Sequence, residues 1–90
     1  MYMFIEAMAD GAGACGVPRK QAMEYAAATL AGAAEMVLAT GQHPGALKDA
    51  VCTPGGSTIA GVKALEGHGF RGAVMDCVMA AVKRNQELGK

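Results

Sequence analysis

Apolar residues recur along most of this chain every three or four positions, which is the period of an α-helix with one apolar face. The spacing predicts a helix from Tyr2 to about Gly16, a longer helix from Pro18 to Thr40, and a short helix from Pro44 to about Cys52. It predicts two more, from Ser57 to Glu66 and from about Phe70 onward. Because no segment alternates convincingly between apolar and polar residues, we expect an all-α fold of about five helices.

The helix predicted from Pro18 to Thr40 is the longest of the set. Proline suits the first helical position, and Gly41 is suited to end the helix. Alanine residues and Gly32 lie on several of its faces, so other helices can approach it on more than one side. We therefore expect this helix to be buried in the centre of the fold.

The composition is that of one small domain, which we predict to cover residues 1–90. Its apolar residues are mostly alanine, methionine and valine, with no tryptophan, so the core is thin and a partner is expected to complete it. The last helix has a broad apolar stripe from Val74 to Val82, and a methionine-rich stripe is usually core. Because a chain this small can hardly bury all of its apolar faces alone, we expect some of them to form a subunit interface. Eight basic residues balance eight acidic ones, which argues against nucleic acid as a partner.

Two features bear on the cellular compartment. Cys15, Cys52 and Cys77 are odd in number and widely spaced, which predicts reduced thiols in a cytoplasmic protein, each serving as a small buried apolar group. The apolar run from Ala26 to Ala34 is stopped by Glu35, well short of the roughly 20 residues that cross a bilayer. We therefore expect no membrane association.

Two candidate sites, one for a metal ion and one for a dinucleotide, are rejected because of the residues that surround them. His43 and His68 stand alone, without Cys or carboxylates at ligand spacing, so no metal site is predicted. The segment Gly11–Gly16 matches the G-x-G-x-x-G spelling of dinucleotide-binding loops, but that motif follows a β-strand and opens a helix. Here the preceding residues have a helical pattern, and Asp10 would repel a pyrophosphate. No cofactor is therefore expected to bind residues 1–90 alone.

The stretch from Thr53 to Thr58 is the best candidate for chemistry. Pro54 fixes its own backbone angle, and the two glycines after it permit left-handed angles and leave space beside the backbone. Ser57 and Thr58 then open a helix, whose first amides lack partners within the helix. Such amides carry partial positive charge, so the stretch suits a small anion. Plain helix capping without a ligand is the alternative.

Several short motifs of this chain resemble, in order and spacing, the signature of Δ1-pyrroline-5-carboxylate reductases. They are His43-Pro44-Gly45, Leu47-Lys48-Asp49, Thr53-Pro54-Gly55-Gly56-Ser57-Thr58-Ile59, Leu65-Glu66 and Gly69-Phe70-Arg71, with Ala9-Asp10-Gly11 and Gly16-Val17-Pro18-Arg19 upstream. The resemblance covers nearly the whole chain. It implies the C-terminal, interlocked helical-bundle dimerisation domain of an enzyme that reduces 1-pyrroline-5-carboxylate to L-proline in proline biosynthesis.

The site that the resemblance implies falls on Gly56, Ser57 and Thr58. Their backbone amides would hold the carboxylate of pyrroline-5-carboxylate, and the Thr58 hydroxyl would lie beside the ring nitrogen. Because a hydroxyl is a poor independent acid, we assign Thr58 to substrate orientation and leave its part in proton transfer open. Thr53 stands where many family members carry serine, which keeps a hydroxyl at that position.

The resemblance also implies partners and a cofactor. Such reductases form homodimers through these helices, and larger rings of dimers are known in the family. They bind NADPH or NADH on an N-terminal Rossmann domain that this chain lacks. We therefore expect the chain to be a truncated or proteolysed form, or one segment of a longer product, and to be inactive alone. The lack of a capping residue before Tyr2 agrees with native residues upstream.

A second hypothesis is a non-catalytic helical oligomerisation module that keeps the Thr53 to Thr58 stretch only as a structural cap. The missing nucleotide-binding domain motivates it. Under either hypothesis, Glu66 and Arg71 are expected to form a structural ion pair or a cap rather than to act in catalysis. Lys48 and Asp49 are expected to form a solvated face or a helix-positioning pair rather than to act as an acid and a base.

Overall fold

The computed structural model describes residues 1–89, which are almost entirely helical. Helix α1 spans Tyr2–Ala14, α2 Arg19–Thr40, α3 Pro44–Ala50, α4 Ser57–Gly67 and α5 Phe70–Leu88. No strand is present among residues 1–89. The prediction of an all-α fold with five helices is therefore confirmed. No helix in this described range has both the length and the apolar character needed to cross a membrane.

Some observed helix ends differ from the predicted ones for local reasons. Pro18 precedes α2 instead of opening it, because its ψ of 142° is extended. Helix α3 ends at Ala50 and not at Cys52, because the Cys52 amide donates to the carbonyl of the third residue back, at 3.2 Å. Gly41 ends α2 as predicted, with a left-handed φ of 68° and an amide that donates to the Val37 carbonyl at 3.0 Å.

The chain divides into two compact units, Met1–Leu47 and a second unit that begins at Lys48. In the first unit, α1 packs against α2. The buried side chains of residues 1–89 are those of Ala9 on α1 and of Ala22 and Ala26 on α2. Because the side chains at a helix contact set the distance between the axes, these alanines let the two backbones approach closely.

Helix α2 is not buried in the centre of a single chain, contrary to our expectation. Apart from Ala22 and Ala26 its residues are exposed or half-buried, and Tyr25 and Leu38 expose 62% and 85% of their surface. Helix α1 covers one side of α2. The expectation was wrong because a helix with small residues on several faces needs several neighbours, and a chain this small has few to offer.

The second unit contains α4 and α5, which are joined through His68 and Gly69. Within the described chain, neither helix buries a side chain, and Val74 and Val78 on α5 are 41% and 58% exposed. The apolar stripe that the sequence places on α5 is therefore uncovered in one chain. Whether the two units fold together as one domain over residues 1–90 stays a prediction.

Candidate functional site

The Thr53–Thr58 loop, which leads into α4, begins with a tight turn. The Gly56 amide donates to the Thr53 carbonyl at 3.0 Å and so closes the turn. Gly55 has a φ of 70°, a left-handed value that favours glycine. Proline in the second position and a left-handed glycine in the third are the pattern of a type II turn. The turn thereby fixes the direction in which α4 starts.

The first amides of α4 are left without acceptors. Gly56 occupies the cap position in an extended conformation, and no described side chain caps the helix there. The first amide that donates along the helix is that of Ala60, to the Gly56 carbonyl at 3.4 Å. Within the described chain, the amides of Ser57, Thr58 and Ile59 consequently have no acceptor. Three donors are thus free at the positive end of the helix dipole.

The surroundings of these amides suit a small anion. Ser57 and Thr58 are exposed, so a small molecule can reach them from solvent. The first turn of α4 carries no acidic residue that would oppose a negative charge. Backbone amides held in a fixed direction can bind a carboxylate without a lysine or arginine. The neighbouring Thr58 hydroxyl can donate or accept one further hydrogen bond.

Gly56 contributes to this site in a different way from Ser57 and Thr58. Its amide is used inside the turn, so Ile59 takes its place among the free donors. A Cβ at Gly56 would overlap the Thr53 hydroxyl oxygen and would lie 3.2 Å from the Thr53 carbonyl oxygen. The missing side chain therefore lets the turn close. The Ile59 amide was not named from the sequence, although the rule that the first amides of a helix are free would have found it.

Oppositely charged side chains pair at two places near the Thr53–Thr58 loop in sequence. Arg71 Nε donates to Glu66 Oε1 at 2.9 Å, between the last turn of α4 and the first turn of α5. Lys48 Nζ lies 3.6 Å from Asp49 Oδ1, and the Asp49 side chain is 78% exposed, as expected of a solvated pair. Neither pair approaches the amides at the start of α4 through any described hydrogen bond.

Each histidine makes a hydrogen bond at a helix end. His43 Nδ1 accepts a hydrogen bond from the Gly45 amide at 2.9 Å, as expected of a cap at the start of α3. His68 Nδ1 donates to the Ala64 carbonyl at 2.8 Å, near the end of α4. Across residues 1–89, no three His, Cys, Asp or Glu side chains lie close enough together to hold a metal ion.

The three cysteines are free thiols. Cys15 and Cys77 are exposed and Cys52 is half-buried, so the expectation of buried thiols is wrong for a single chain. Cys77 lies on α5, which is largely uncovered, whereas Cys15 and Cys52 lie just after the ends of α1 and α3.

The Gly11–Gly16 segment lies where a nucleotide-binding loop does not occur. Its first four residues belong to the last part of α1, and Gly16 follows that helix with a φ of 99°. No strand precedes it in the described chain. The glycine spelling therefore belongs to a helix and the turn after it, as the sequence indicated.

Taken together, these features define a class of protein segment, an all-α segment that exposes an apolar stripe and an anion-ready helix start. The sequence model of the family described as pyrroline-5-carboxylate reductase dimerisation matches residues 1–88. The chain therefore belongs to the pyrroline-5-carboxylate reductase dimerisation family.

Curated proteins with similar sequences are named pyrroline-5-carboxylate reductase. The pyrroline-5-carboxylate reductase of Escherichia coli (strain K12) is 52% identical over 90 residues, which are 100% of this chain and 34% of that protein. That of Pisum sativum is 54% identical over 88 residues, 98% of this chain and 32% of that protein. The chain thus spans about a third of the length of the curated relatives it matches.

Solved structures agree with these sequence relatives. The crystal structure of Plasmodium falciparum pyrroline carboxylate reductase with NADP bound matches with a TM-score of 0.92 and 34% identity, over 99% of this chain and 34% of that one. A pyrroline-5-carboxylate reductase from Coxiella burnetii matches with the same TM-score and identity, over 99% of this chain and 33% of that one. The fold is therefore shared with one segment of these longer proteins.

Proposed function

We propose that this chain is the dimerisation and substrate-binding segment of a pyrroline-5-carboxylate reductase. The full-length enzyme reduces 1-pyrroline-5-carboxylate to L-proline with NAD(P)H and completes proline biosynthesis. Membership of the family supports the reaction. The observation that carries the substrate site is the set of three free amides at the start of α4.

The substrate carboxylate is bound by the backbone of the Thr53–Thr58 loop. The Ser57 and Thr58 amides donate to its oxygens, and the positive end of the α4 dipole stabilises its charge. Gly56 has no side chain, which leaves room for the Thr53 hydroxyl in the turn before these amides. Gly56 therefore serves the site through its small size, while its own amide closes the turn.

The Thr58 side chain orients the rest of the substrate. Its hydroxyl lies one residue along from the Ser57 amide and forms a hydrogen bond with the ring nitrogen. The C=N carbon accepts a hydride more readily when that nitrogen is protonated. Because a threonine hydroxyl is a weak acid, Thr58 holds the nitrogen in place and is not the independent source of the proton.

The reaction needs a hydride donor from outside this segment. NADPH or NADH, bound by an N-terminal domain of the full-length enzyme, supplies the hydride. The bound NADP of the Plasmodium falciparum relative supports this choice. Within this chain, the Gly11–Gly16 segment does not fit a dinucleotide, because most of it lies inside α1. The residues of this chain therefore act on the substrate alone.

A second copy of the chain is the proposed partner. The dimerisation family supports a homodimer through the helices, and rings of such dimers are the larger assembly we propose. The apolar stripe of α5, where Val78 and Met79 are 58% and 68% exposed, is the surface that the second copy covers. The balanced charge supports a protein without a nucleic-acid partner, and three free thiols agree with the cytoplasm.

The substitution Thr58→Val in the full-length enzyme tests the substrate site. It removes a hydrogen bond to a charged ligand, worth about 1.5 to 3 kcal/mol, so kcat/KM for pyrroline-5-carboxylate should fall roughly ten-fold or more. The matched control is Ser57→Ala, which keeps the backbone amide and should leave kcat/KM nearly unchanged. Steady-state kinetics of the two variants decide the matter, and unchanged kinetics for Thr58→Val would refute its role.

The alternative function is a non-catalytic oligomerisation module. Its motivation is the uncovered stripe on α5, which calls for a partner whether or not the loop binds a ligand. Amide chemical shifts during a titration with L-proline separate the two functions. Saturable shifts confined to Ser57, Thr58 and Ile59 support the reductase, whereas no shift in a folded protein supports the module.

A further inference from the structure

The start of α3 is held by hydrogen bonds to a single residue, His43. Its ring Nδ1 accepts a hydrogen bond from the Gly45 amide at 2.9 Å. Its backbone carbonyl accepts two more, from the Ala46 amide at 2.9 Å and from the Leu47 amide at 3.2 Å. Because Pro44 has no amide hydrogen, all amide hydrogens of the first four residues of α3 are occupied. The start of α4 is the opposite case, since its first three amides are free.

The His43 ring lies against the backbone of Gly45. A Cβ at Gly45 would lie 2.9 Å from Nδ1 and 3.3 Å from Cε1 of the ring, which is too close for a side chain. The ring could rotate away from an added side chain only by giving up its hydrogen bond. The small size of Gly45 therefore allows the cap to form.

The bond to Gly45 requires one charge state of the His43 ring. Because Nδ1 accepts a hydrogen, the neutral ring carries its proton on Nε2. A second proton would turn Nδ1 into a donor that faces another donor, so the bond would be lost. Imidazole side chains ordinarily take up that proton between about pH 8 and pH 5. A positive charge is also unfavourable at the amino end of a helix, where the dipole is positive.

The other histidine, His68, makes the opposite kind of bond. Its Nδ1 donates to the Ala64 carbonyl at 2.8 Å, near the carboxyl end of α4. A second proton goes to Nε2 and leaves this donor in place. The resulting positive charge suits the negative end of the α4 dipole, and the charged groups beside it, Glu66 and Arg71, pair with each other. Protonation therefore breaks the bond of His43 and keeps that of His68.

The response of His43 does not depend on a charged neighbour. No charged side chain of residues 1–89 forms an ion pair with its ring. Those nearest in sequence are Glu35 on α2 and the pair of Lys48 and Asp49 on α3, whose charged atoms are 3.6 Å apart. The bond to Gly45 joins residues two positions apart in one chain, so a second copy is not needed to form it.

We infer that His43 is a pH-sensitive cap of α3, formed by the neutral ring and released when the ring takes up a second proton. The stabilisation of α3 is present while Nδ1 carries no proton and is lost as the pH falls. Helix α3 contains the boundary between the two compact units, which lies between Leu47 and Lys48. The cap therefore controls the segment that joins these units, independently of the proposed substrate site.

Hydrogen exchange of the full-length enzyme, read by mass spectrometry on a peptide that covers residues 38–52, tests the cap. His43→Asn keeps a capping oxygen that does not titrate, whereas His43→Ala removes the cap. At about pH 7.5, the unaltered enzyme and His43→Asn should be equally protected, and the start of α3 should exchange roughly five-fold faster in His43→Ala. At about pH 5, the unaltered enzyme should exchange as fast as His43→Ala, while His43→Asn keeps its protection. Comparing variants at the same pH removes the intrinsic effect of pH on exchange.

The end of α4 is the internal control, because protonation leaves the His68 bond intact. A peptide over residues 60–70 should show no loss of protection at the lower pH relative to the same peptide of His43→Asn. If His43→Asn does not fold, His43→Asp also supplies a capping oxygen and should behave in the same way down to about pH 5.

Three results would overturn the inference. One is a parallel loss of protection in the unaltered enzyme and in His43→Asn, or in His43→Asp where that variant replaces it. Another is His43→Ala being as protected as the unaltered enzyme at the higher pH. The third is an equal loss at the end of α4, which would mean that acid loosens the enzyme as a whole.

Discussion

Gly55 and Gly56 are both needed by the Thr53–Thr58 loop, but for different physical reasons. Gly55 has a φ of 70°, and a Cβ there would meet no atom within 4 Å, so only the backbone angle restricts it. Gly56 has an ordinary φ of −82°, and there the restriction is space, because a Cβ would overlap the Thr53 hydroxyl. A side chain at Gly55 would thus strain the backbone, whereas a side chain at Gly56 would overlap Thr53.

The overlap that a side chain at Gly56 would create can be relieved by shortening the side chain of Thr53. Gly56→Ala should lower the free energy of unfolding by about 1 to 3 kcal/mol, because the added methyl group pushes against Thr53. Combining it with Thr53→Ala removes the hydroxyl and should recover much of the loss. Chemical denaturation of the single and double variants measures both effects.

Gly55→Ala is the control for this pair. It should cost about 1 kcal/mol or more through its left-handed angle, and Thr53→Ala should not recover it. Equal recovery at both glycines would contradict the distinction between strain and contact.

At the level of single residues, the sequence allowed part of the candidate site to be predicted. The pattern of proline, two glycines and two hydroxyl residues was enough to locate an anion-ready helix start. It was not enough to assign the Gly56 amide to the turn, because that depends on the carbonyl of Thr53 pointing back at it. For Glu66 and Arg71 the sequence predicted an ion pair or a cap, and the ion pair is the one observed. Its position at two opposing helix ends required the observed boundaries.

Among the elements, the corner between α4 and α5 has the clearest backbone requirement. Gly67 and Gly69 stand close together, and a Cβ at either position would meet no atom within 4 Å. Only Gly69 has a left-handed φ, of 68°, while Gly67 is the last residue of α4. The two glycines therefore differ in conformation and not in surroundings.

Substituting alanine at each of these glycines should give opposite results. Gly69→Ala should lower the free energy of unfolding by about 1 to 2 kcal/mol, because an L-residue is strained at that angle. Gly67→Ala should raise it by about 0.5 kcal/mol, because alanine loses less conformational entropy on entering a helix. Denaturation of both variants gives the comparison, and a shared sign would contradict the assigned backbone angles.

The existence of each helix could be predicted, but not always its end. Periodicity records which residues can face a core, and it does so over whole turns of helix. The end of α3 depends instead on which carbonyl the Cys52 amide reaches, and the start of α2 on the ψ of Pro18. Such choices are made by single hydrogen bonds and angles, which the spacing of apolar residues does not encode.

In the whole molecule, the feature that needs explanation is the scarcity of buried side chains. Only three alanines are buried among residues 1–89, and exposed apolar residues lie along both α2 and α5. The sequence predicted that some apolar faces form a subunit interface, which stays a prediction, and it wrongly predicted that α2 would be covered within one chain. Apolar periodicity shows that a face needs a partner but not which chain supplies it.

The mass of the full-length protein in solution tests this account most directly. If a second copy covers the stripe of α5, light scattering or sedimentation at micromolar concentration should give a dimer or a multiple of dimers. Val78→Asp places a charge in that stripe and should lower the mass, because an unpaired charge is costly to bury. Asn85→Asp adds the same charge at the polar end of α5 and should not change it. A single-chain mass for the unaltered protein, or an unchanged mass for Val78→Asp, would contradict the account.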